Sequence, residues 1–188
     1  MKVSAILGSP RKEGVTSTIA KTFMAQAKEM GAETNIYFLN YMDFQGCQGC
    51  QVCKTKKESC ILKDDLTPVL EDLQASDIIV FATPVYFWDV TGQFKSFFDR
   101  TWSLVKPDYK TNPSPVRIPK GKKALLITSQ GDVEEKHQEV SKKYAGFLSM
   151  YGFDTQTIRA FGMAEVHKDN MDFCLTQAKK IADDMLKK

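Results

Sequence analysis

Several signatures of other protein classes are missing from this sequence of 188 residues. No apolar run approaches the roughly 20 residues of a membrane-spanning helix, so we expect no membrane segment. Lysines and arginines number 26 against 23 aspartates and glutamates, and the net charge of +3 gives no reason to expect nucleic acid as a partner. The opening MKVSAILG lacks the longer apolar stretch of a signal peptide, which predicts a cytoplasmic protein.

Two nucleotide-binding motifs are also missing from the turn after the first predicted strand. Val15 follows Gly14 at the point where the Walker pattern G-x-x-x-x-G-K-[ST] needs a lysine. The dinucleotide fingerprint G-x-G-x-x-G is not present either. These absences disfavour ATP and a Rossmann-bound dinucleotide, whereas a single terminal phosphate such as that of FMN fits this turn better.

The chain alternates short apolar runs with longer amphipathic ones, which predicts alternating strands and helices. The predicted strands are 3–7, 34–39, 78–82, 124–128 and 153–161, and the predicted helices are 16–30, 64–75, 91–105, 134–151 and 170–187. This β-α order, repeated five times, is typical of parallel strands joined by crossover helices, so the predicted fold class is α/β. We expect a three-layer α/β/α sandwich in a single domain, 1–188, with a cysteine-rich loop at 46–63 and a Pro-rich excursion loop at 106–121.

The turn after the first strand is rich in groups that bind phosphate. In open parallel sheets, ligands bind beyond the carboxyl ends of the strands, and N–H groups at a helix N-terminus favour an anion there. The candidate phosphate-binding residues are Ser9, Arg11, Gly14, Val15, Thr16 and Ser17. A polar turn with Thr16 as an ordinary helix cap uses the same residue types and stays open as an alternative.

Two later loops follow strands that end at the same edge of the predicted sheet. The candidate residues in these loops are Pro84, Val85, Tyr86, Phe87 and Trp88 in the first and Ser129, Gln130 and Gly131 in the second. Three consecutive aromatic side chains suit a flat, amphipathic ring that needs stacking surface. The alternative for the aromatic loop is packing under a helix or against a partner subunit. The second loop could close over the far side of the same ligand.

Four of the five cysteines share the spacing C-x2-C-x2-C-x6-C. They are Cys47, Cys50, Cys53 and Cys60. Steps of three place thiolates around a compact cluster, as in ferredoxin-type binding runs, so a 4Fe-4S cluster is the leading interpretation. Zinc, or cysteines that stay plain thiols, remain alternatives.

The fifth cysteine and the two histidines receive no functional role. Cys174 lies in a predicted helix, where a free cysteine usually acts as a small buried hydrophobe. His137 is expected in a helix and His167 in a late loop, and neither has a nucleophile pattern beside it.

Three segments together resemble the NADPH-dependent FMN reductase superfamily, and more narrowly the iron–sulfur flavoproteins. They read GSPRKEGVTST, TPVYFWDVTGQFKSFFDRTW and CQGCQVCKTKKESCILKDD. The resemblance implies a flavodoxin-like fold with a five-stranded parallel sheet in the order 2-1-3-4-5 and FMN at its carboxyl edge. Within the family pattern, Ser9, Arg11 and Thr16 match phosphate-binding positions, and loops 84–87 and 129–131 match those beside the isoalloxazine ring.

One position departs from that pattern. The family often has Asn where this chain has Val15, so one phosphate contact would come from the backbone alone. The cysteine motif also occurs in relatives without a cluster. The resemblance further implies a homodimer or homotetramer with a redox partner such as ferredoxin or NAD(P)H.

The leading interpretation is a flavin-dependent oxidoreductase that passes electrons between a cysteine-ligated 4Fe-4S cluster and FMN. In this interpretation the cofactors carry the chemistry and no side chain is catalytic. A flavin-only NAD(P)H-dependent FMN or quinone reductase, whose cysteines bind no cluster, is the first alternative. The second alternative is a zinc-stabilised binding module without redox turnover.

Overall fold

The fold is known from a computed structural model that describes residues 1–163 and 168–187. The strands are β1 (Lys2–Leu7), β2 (Glu33–Phe38), β3 (Ile78–Tyr86), β4 (Asp89–Val90), β5 (Lys123–Ser129) and β6 (Asp154–Ala160). The helices are α1 (Val15–Glu29), α2 (Val52–Thr55), α3 (Leu66–Ala75), α4 (Gly92–Arg100), α5 (Gln138–Met150) and α6 (Lys168–Leu186). Among these residues, no helix is both long enough and apolar enough to cross a bilayer.

The sheet has the order β2-β1-β3-β5-β6, with all neighbouring pairs parallel. The two-residue strand β4 pairs antiparallel with the end of β3, outside this path. When β4 is left out of the numbering, the order is 2-1-3-4-5, so the predicted flavodoxin-like topology is confirmed. The central strand β3 lies between β1 and β5, which brings the carboxyl ends of these three strands side by side.

Both faces of the sheet are buried because the central strands are apolar on both sides. In β3, Ile79 and Phe81 join the hydrophobic cluster under α3, α4 and α5. The alternating residues Ile78 and Val80 join the opposite cluster, which α1 and α6 cover. The predicted three-layer sandwich is therefore confirmed, and Cys174 of α6 is buried in the second cluster as expected.

Several predicted boundaries differ from the structure. The helix expected over 134–151 begins only at Gln138, because His137 adopts a left-handed conformation with φ of 55° and the residues before it form a loop. The cysteine-rich loop contains the four-residue helix α2, which periodicity cannot detect at that length. The helix expected over 91–105 is α-helical only to Arg100 and continues as a 3-10 turn to Leu104. His167 lies outside the described residues.

One buried carboxylate ties α3 to the two strands beside it. Asp72 Oδ2 accepts hydrogen bonds from Ser4 Oγ at 2.8 Å, Tyr37 OH at 2.9 Å and Asn35 Nδ2 at 3.0 Å. Lys2 Nζ donates to the other oxygen, Oδ1, at 2.5 Å. Burial alone would raise the pKa of Asp72, but these four donors hold it below its ordinary value.

We expect Asp72→Asn to lower the free energy of unfolding by roughly 2 to 3 kcal/mol at neutral pH, because hydrogen bonds to a charged acceptor are lost and Lys2 keeps an unpaired charge. A carboxylate with a lowered folded-state pKa stabilises the fold above its unfolded pKa of about 3.9 and loses that contribution as the pH falls through the folded-state value. The difference between the two proteins should therefore shrink in that acid range. Urea unfolding at several pH values measures it.

Asp184→Asn is the matched control, because Asp184 pairs with Lys187 on the exposed surface. We expect this variant to stay within about 0.5 kcal/mol of the wild type. Equal stability of the Asp72 variant and the control would show that the buried network contributes nothing.

Candidate functional site

A cavity of about 300 Å³ lies where the loops after β1, β3 and β5 meet at the carboxyl edge of the sheet, and we call it the edge cavity. Its lining residues are Ser9, Arg11, Gly14, Val15, Thr16, Pro84, Val85, Tyr86, Ser129, Gln130, Gly131 and Met163. All of these except Met163 are candidates from the sequence. Met163 follows β6 in a turn without any recognisable motif, so the sequence carries no signal for it.

A second cavity, of about 440 Å³, shares Val85, Gln130 and Gly131 with the first, and we call it the aromatic cavity. Its other lining residues are Phe87, Trp88, Asp132 and His137. Asp132 and His137 are not among the sequence candidates, although a loop extended to the start of the next helix would include both. Among the sequence candidates for flavin binding, Ser17 is the one that lines neither cavity.

The turn after β1 is held in shape by its own hydroxyl groups. Ser9 Oγ accepts a hydrogen bond from Arg11 N at 3.1 Å and lies 3.2 Å from Arg11 O, to which it donates. Ser17 Oγ donates to the same carbonyl oxygen at 3.0 Å. The two serines therefore order the turn, while the Arg11 side chain is exposed and forms no ion pair within residues 1–163 and 168–187.

Helix α1 begins at this turn without a side-chain cap. Gly14 is the N-cap residue, and the first bond within the helix runs from Thr18 N to Gly14 O at 2.9 Å. The alternative in which Thr16 caps the helix is wrong, since Thr16 lies inside the first turn. The N–H groups of 15–17 have no acceptor within the helix, and the positive end of the helix dipole lies behind them. This arrangement suits an anion beside Val15 and Thr16 in the edge cavity.

The turn after β1 also contacts the start of α4 directly. Gly8 O accepts hydrogen bonds from Thr91 Oγ1 and Gln93 Nε2, both at 2.8 Å. A Cβ atom at Gly8 would lie 2.7 Å from Phe94 Cβ, which real side chains do not tolerate. Only glycine permits this close approach, which sets the first loop against the second.

The aromatic loop forms a tight hairpin at the end of β3. Val85 and Tyr86 pair with Val90 and Asp89 across the turn. Both turn residues have positive φ angles, 45° at Phe87 and 65° at Trp88, as a two-residue hairpin of this type requires. Such angles are unfavourable for large side chains, so the turn stores strain.

This hairpin presents aromatic surface to solvent rather than to the core. The exposed fraction is 93% for Phe87 and 67% for Trp88. The Trp88 ring packs edge-on against His137, with ring centroids 5.9 Å apart, and His137 Nε2 lies 3.0 Å from Asp132 Oδ2. The exposed aromatic surface beside the two cavities is what a flat ligand needs for stacking.

The third loop is fixed by a buried amide. Gln130 Nε2 donates to Val133 O at 2.6 Å and to Lys136 O at 2.9 Å, while its Oε1 accepts from Arg159 Nη2 at 3.2 Å. Arg159 Nη2 also lies within hydrogen-bond distance of Glu134 O and Lys136 O. The loop therefore keeps one conformation beside the cavities, with the Gln130 side chain buried behind it.

The four clustered cysteines line a separate, small cavity of about 20 Å³, which we call the cysteine cavity. Its other lining residues are Gln48, Gly49, Gln51, Ile61, Leu62, Arg100, Trp102 and Ser103. Cys47 and Cys50 are exposed, whereas Cys53 and Cys60 are half-buried, so the site is open on one side. Burial raises the pKa of the Cys53 thiol, and the neighbouring thiols act in the same direction.

In the described part of the chain, no group of three or more His, Cys, Asp or Glu side chains converges closely enough to hold a single metal ion. The four cysteines share a cavity without surrounding one point. This arrangement is unlike a preformed tetrahedral zinc site.

Arg100, at the end of α4, holds both ends of the cysteine segment. Its Nη1 donates to Gln45 O and to Asp64 Oδ2, both at 2.7 Å, and its Nη2 donates to Leu62 O at 3.3 Å. Burial alone would lower the pKa of Arg100, but the Asp64 carboxylate and Cys60 raise it above its ordinary value. Hydrogen bonds from Arg100 and the Gln45 amide outweigh burial and lower the pKa of Asp64.

Similar curated proteins include an iron-sulfur flavoprotein of Methanocaldococcus jannaschii. It is 36% identical over 132 residues, which are 70% of this chain and 63% of that protein. The chain thus spans less than two thirds of the length of this relative.

Similar solved structures cover the whole chain at low identity. A NAD(P)H:quinone oxidoreductase from Methanothermobacter marburgensis has a TM-score of 0.78 at 18% identity, covering 100% of this chain and 98% of that one. An FMN-dependent NADH-azoreductase from Bacillus anthracis, solved in complex with FMN, has a TM-score of 0.74 at 14% identity and covers 100% of both chains. These two likenesses establish the fold alone.

The sequence model of one family matches residues 1–160, which include all three loops of the edge cavity and the four clustered cysteines. Its description is NADPH-dependent FMN reductase. Because the match covers most of the chain, the protein belongs to the NADPH-dependent FMN reductase family.

Proposed function

We propose that this protein is an FMN-dependent oxidoreductase whose cysteine segment holds a 4Fe-4S cluster. The observation that carries the flavin part is the edge cavity, where an uncapped helix N-terminus and two further loops meet at the carboxyl edge of a parallel sheet. Family membership and the names of the relatives support the same function. When bound, FMN supplies two-electron redox chemistry and the cluster supplies one-electron transfer.

In this proposal the FMN phosphate lies at the start of α1. The N–H groups of Val15 and Thr16 donate to its oxygens, and Arg11 adds a charge-assisted hydrogen bond from the rim of the cavity. Ser9 and Ser17 keep the turn in the required shape through Arg11 O. Val15 contributes only its backbone, so its side-chain type matters little for phosphate binding.

In this proposal the other two loops would hold the flavin ring between them. Backbone groups of 84–86 and of Gln130 and Gly131 border the cavity and can bond to the polar edge of the ring. The aromatic cavity beside it, with Trp88 and His137, offers room for a second flat molecule such as a nicotinamide or a quinone. NAD(P)H as the electron donor is proposed on this basis, whereas ferredoxin and a homodimer or homotetramer stay predictions from the resemblance.

The cysteine cavity suits a cluster by its donor chemistry. Soft thiolates are the preferred ligands of iron–sulfur clusters, and all four cysteines border one space. Each iron of a cubane takes one thiolate, so the ligands surround a volume rather than one ion.

A second candidate function is a flavin-only NAD(P)H-dependent FMN or quinone reductase. The exposure of Cys47 and Cys50 and the small volume of the cysteine cavity favour it, because nothing in that segment limits the cysteines to metal binding. Both candidates use the same edge cavity and the same class of electron donor, so iron content distinguishes them.

We expect Arg11→Ala to weaken FMN binding roughly ten-fold, because one charge-assisted hydrogen bond to the phosphate is lost. Quenching of flavin fluorescence during titration of flavin-free protein measures the affinity. Riboflavin lacks the phosphate, so its affinity should be the same for variant and wild type.

The control variant is Lys12→Ala. Lys12 is the next residue along the chain, but its ammonium group lies 4.5 Å from the centroid of the Tyr41 ring and does not line the edge cavity. We expect it to bind FMN like the wild type. Unchanged FMN affinity in the Arg11 variant, or an equal loss of riboflavin affinity, would contradict the proposed phosphate site.

We expect anaerobically prepared protein to contain about four irons per chain and Cys50→Ser to lose them while it keeps FMN. The physical reason is that the cysteine cavity and the edge cavity have no lining residue in common. Iron and flavin analysis of the same preparation measures both. Cys174→Ser is the control, since Cys174 is buried in α6, and it should keep its iron.

Wild-type protein with flavin but without iron would favour the flavin-only reductase instead. Loss of both cofactors from a still-folded Cys50 variant would contradict the assignment of two separate sites.

A further inference from the structure

The most deeply buried charge in the described part of the chain belongs to Arg100. Its side chain is fully buried, with an exposed fraction of 0%. Burying a guanidinium costs free energy unless hydrogen bonds and a counter-charge compensate it. Asp64 supplies the counter-charge, with contacts of 2.7 and 3.2 Å to its two oxygens. The ion pair with Asp64 holds this cation in one place at the end of α4.

The position of Arg100 relates that charge to the cysteines. Arg100 lines the cysteine cavity together with Cys47, Cys50, Cys53 and Cys60. Its two terminal nitrogens bond to Asp64 and to backbone carbonyls, but Nε is buried and has no hydrogen-bond partner among the described residues. An unpartnered buried N–H is costly, so it points to an acceptor that binds in this space.

The carbonyls that Arg100 contacts stand on both sides of the cysteine segment. Gln45 precedes Cys47, and Leu62 follows Cys60. One guanidinium therefore closes residues 45–62 into a loop against the end of α4. A fixed loop closure lowers the entropy that the segment would lose on binding a ligand.

Resting on the proposed function, we propose that Arg100 is the positioning residue of the cysteine site, and that its buried cation offsets the negative charge of a thiolate-bound cluster. Four thiolates and bridging sulfides make such a cluster anionic. The cation stabilises it, and the unpartnered Nε–H supplies a hydrogen bond to sulfur. In iron–sulfur proteins in general, nearby charge and hydrogen bonds to sulfur change the reduction potential of the cluster and how firmly it is bound.

Several lysines lie in or beside the cysteine segment, and Lys54 directly follows Cys53, but the contacts of Lys54 differ from those of Arg100. Its ammonium group donates to Trp102 O and Val105 O and lies 4.2 Å from the centroid of the Trp102 ring. Lys54 therefore anchors helix α2 to the chain after α4, and it is not among the residues that line the cysteine cavity.

The experiment compares wild type, Arg100→Gln and Arg100→Lys after anaerobic reconstitution with ferrous iron and sulfide. Gln keeps hydrogen-bond donors without the charge, and Lys keeps the charge. A titration with an Fe²⁺ chelator measures how firmly the iron is held, and an EPR-monitored redox titration measures the midpoint potential. Circular dichroism and thermal unfolding of the metal-free proteins report on the fold.

We expect Arg100→Gln to hold iron roughly ten-fold more weakly, the usual loss when a partner outside the metal ligands is removed. The potential of its remaining cluster should shift to more negative values, because an added electron loses a nearby positive charge. Arg100→Lys keeps the charge but loses the Nε–H and the paired contacts to Gln45 O and Leu62 O, so its potential should stay close to that of the wild type while its iron retention should lie between those of the wild type and Arg100→Gln. Lys122→Gln is the control and should change neither, because Lys122 is also a buried cation but donates to Ser76 O and does not line the cysteine cavity.

A folded Arg100→Gln variant with wild-type iron retention and potential would overturn the inference, as would an equal loss in Arg100→Lys. If the Gln variant does not fold, the Lys variant decides: a potential close to that of the wild type supports the proposal, and a shift to more negative values in a folded protein refutes it. Wild-type protein that binds no iron refutes the cluster in the proposed function itself, which distinguishes that failure from a failure of Arg100.

Discussion

The hydrogen bonds that Gly8 O accepts from Thr91 and Gln93 join parts of the chain that are 83 and 85 residues apart in sequence. They set the turn before α1 against the start of α4, directly beside the end of β3. Gly8 N completes the junction by donating to Ala82 O at 2.7 Å. Without this close approach the uncapped end of α1 and the aromatic hairpin would not border a common space.

Helix α4 connects the two candidate sites. Its N-cap residue Thr91 belongs to the junction at the edge cavity, and its last residue Arg100 closes the cysteine segment. A helix of nine residues is roughly 14 Å long. The proposed flavin and cluster sites thus lie at opposite ends of one helix.

The two sites are prepared in different ways. At the edge cavity, loop hydroxyls already hold the turn in shape and backbone N–H groups are in place, so an anion meets donors that need little rearrangement. At the cysteine cavity, two thiols are exposed and the backbone at Gly49 and Gln51 is left-handed, while the buried ion pair of Arg100 and Asp64 supplies the order. The cysteine segment therefore depends on the rest of the fold for its shape.

Much of this arrangement follows from local patterns. The run at Ile78–Ala82 is apolar on both faces, which indicates a buried parallel strand, and the alternation of strands and helices then brings three loops to one edge. Local patterns predict the conformation less well where contacts with distant segments of the chain decide it. His137 interrupts the predicted helix because loop and β6 contacts around Gln130 and Arg159 hold the preceding residues, and no periodicity carries that information.

The amino-acid sequence alone determined the α/β class, the strand order through its family resemblance, and the residue types at both sites, because periodicity, glycine turns and cysteine spacing are local properties. The tertiary structure decided which of these residues share a space. It placed Ser17 behind the turn after β1, added Asp132, His137 and Met163 to the cavities, and put a buried arginine beside the cysteines. Those outcomes depend on contacts between segments that are distant in the chain, and such contacts form only when the layers pack together.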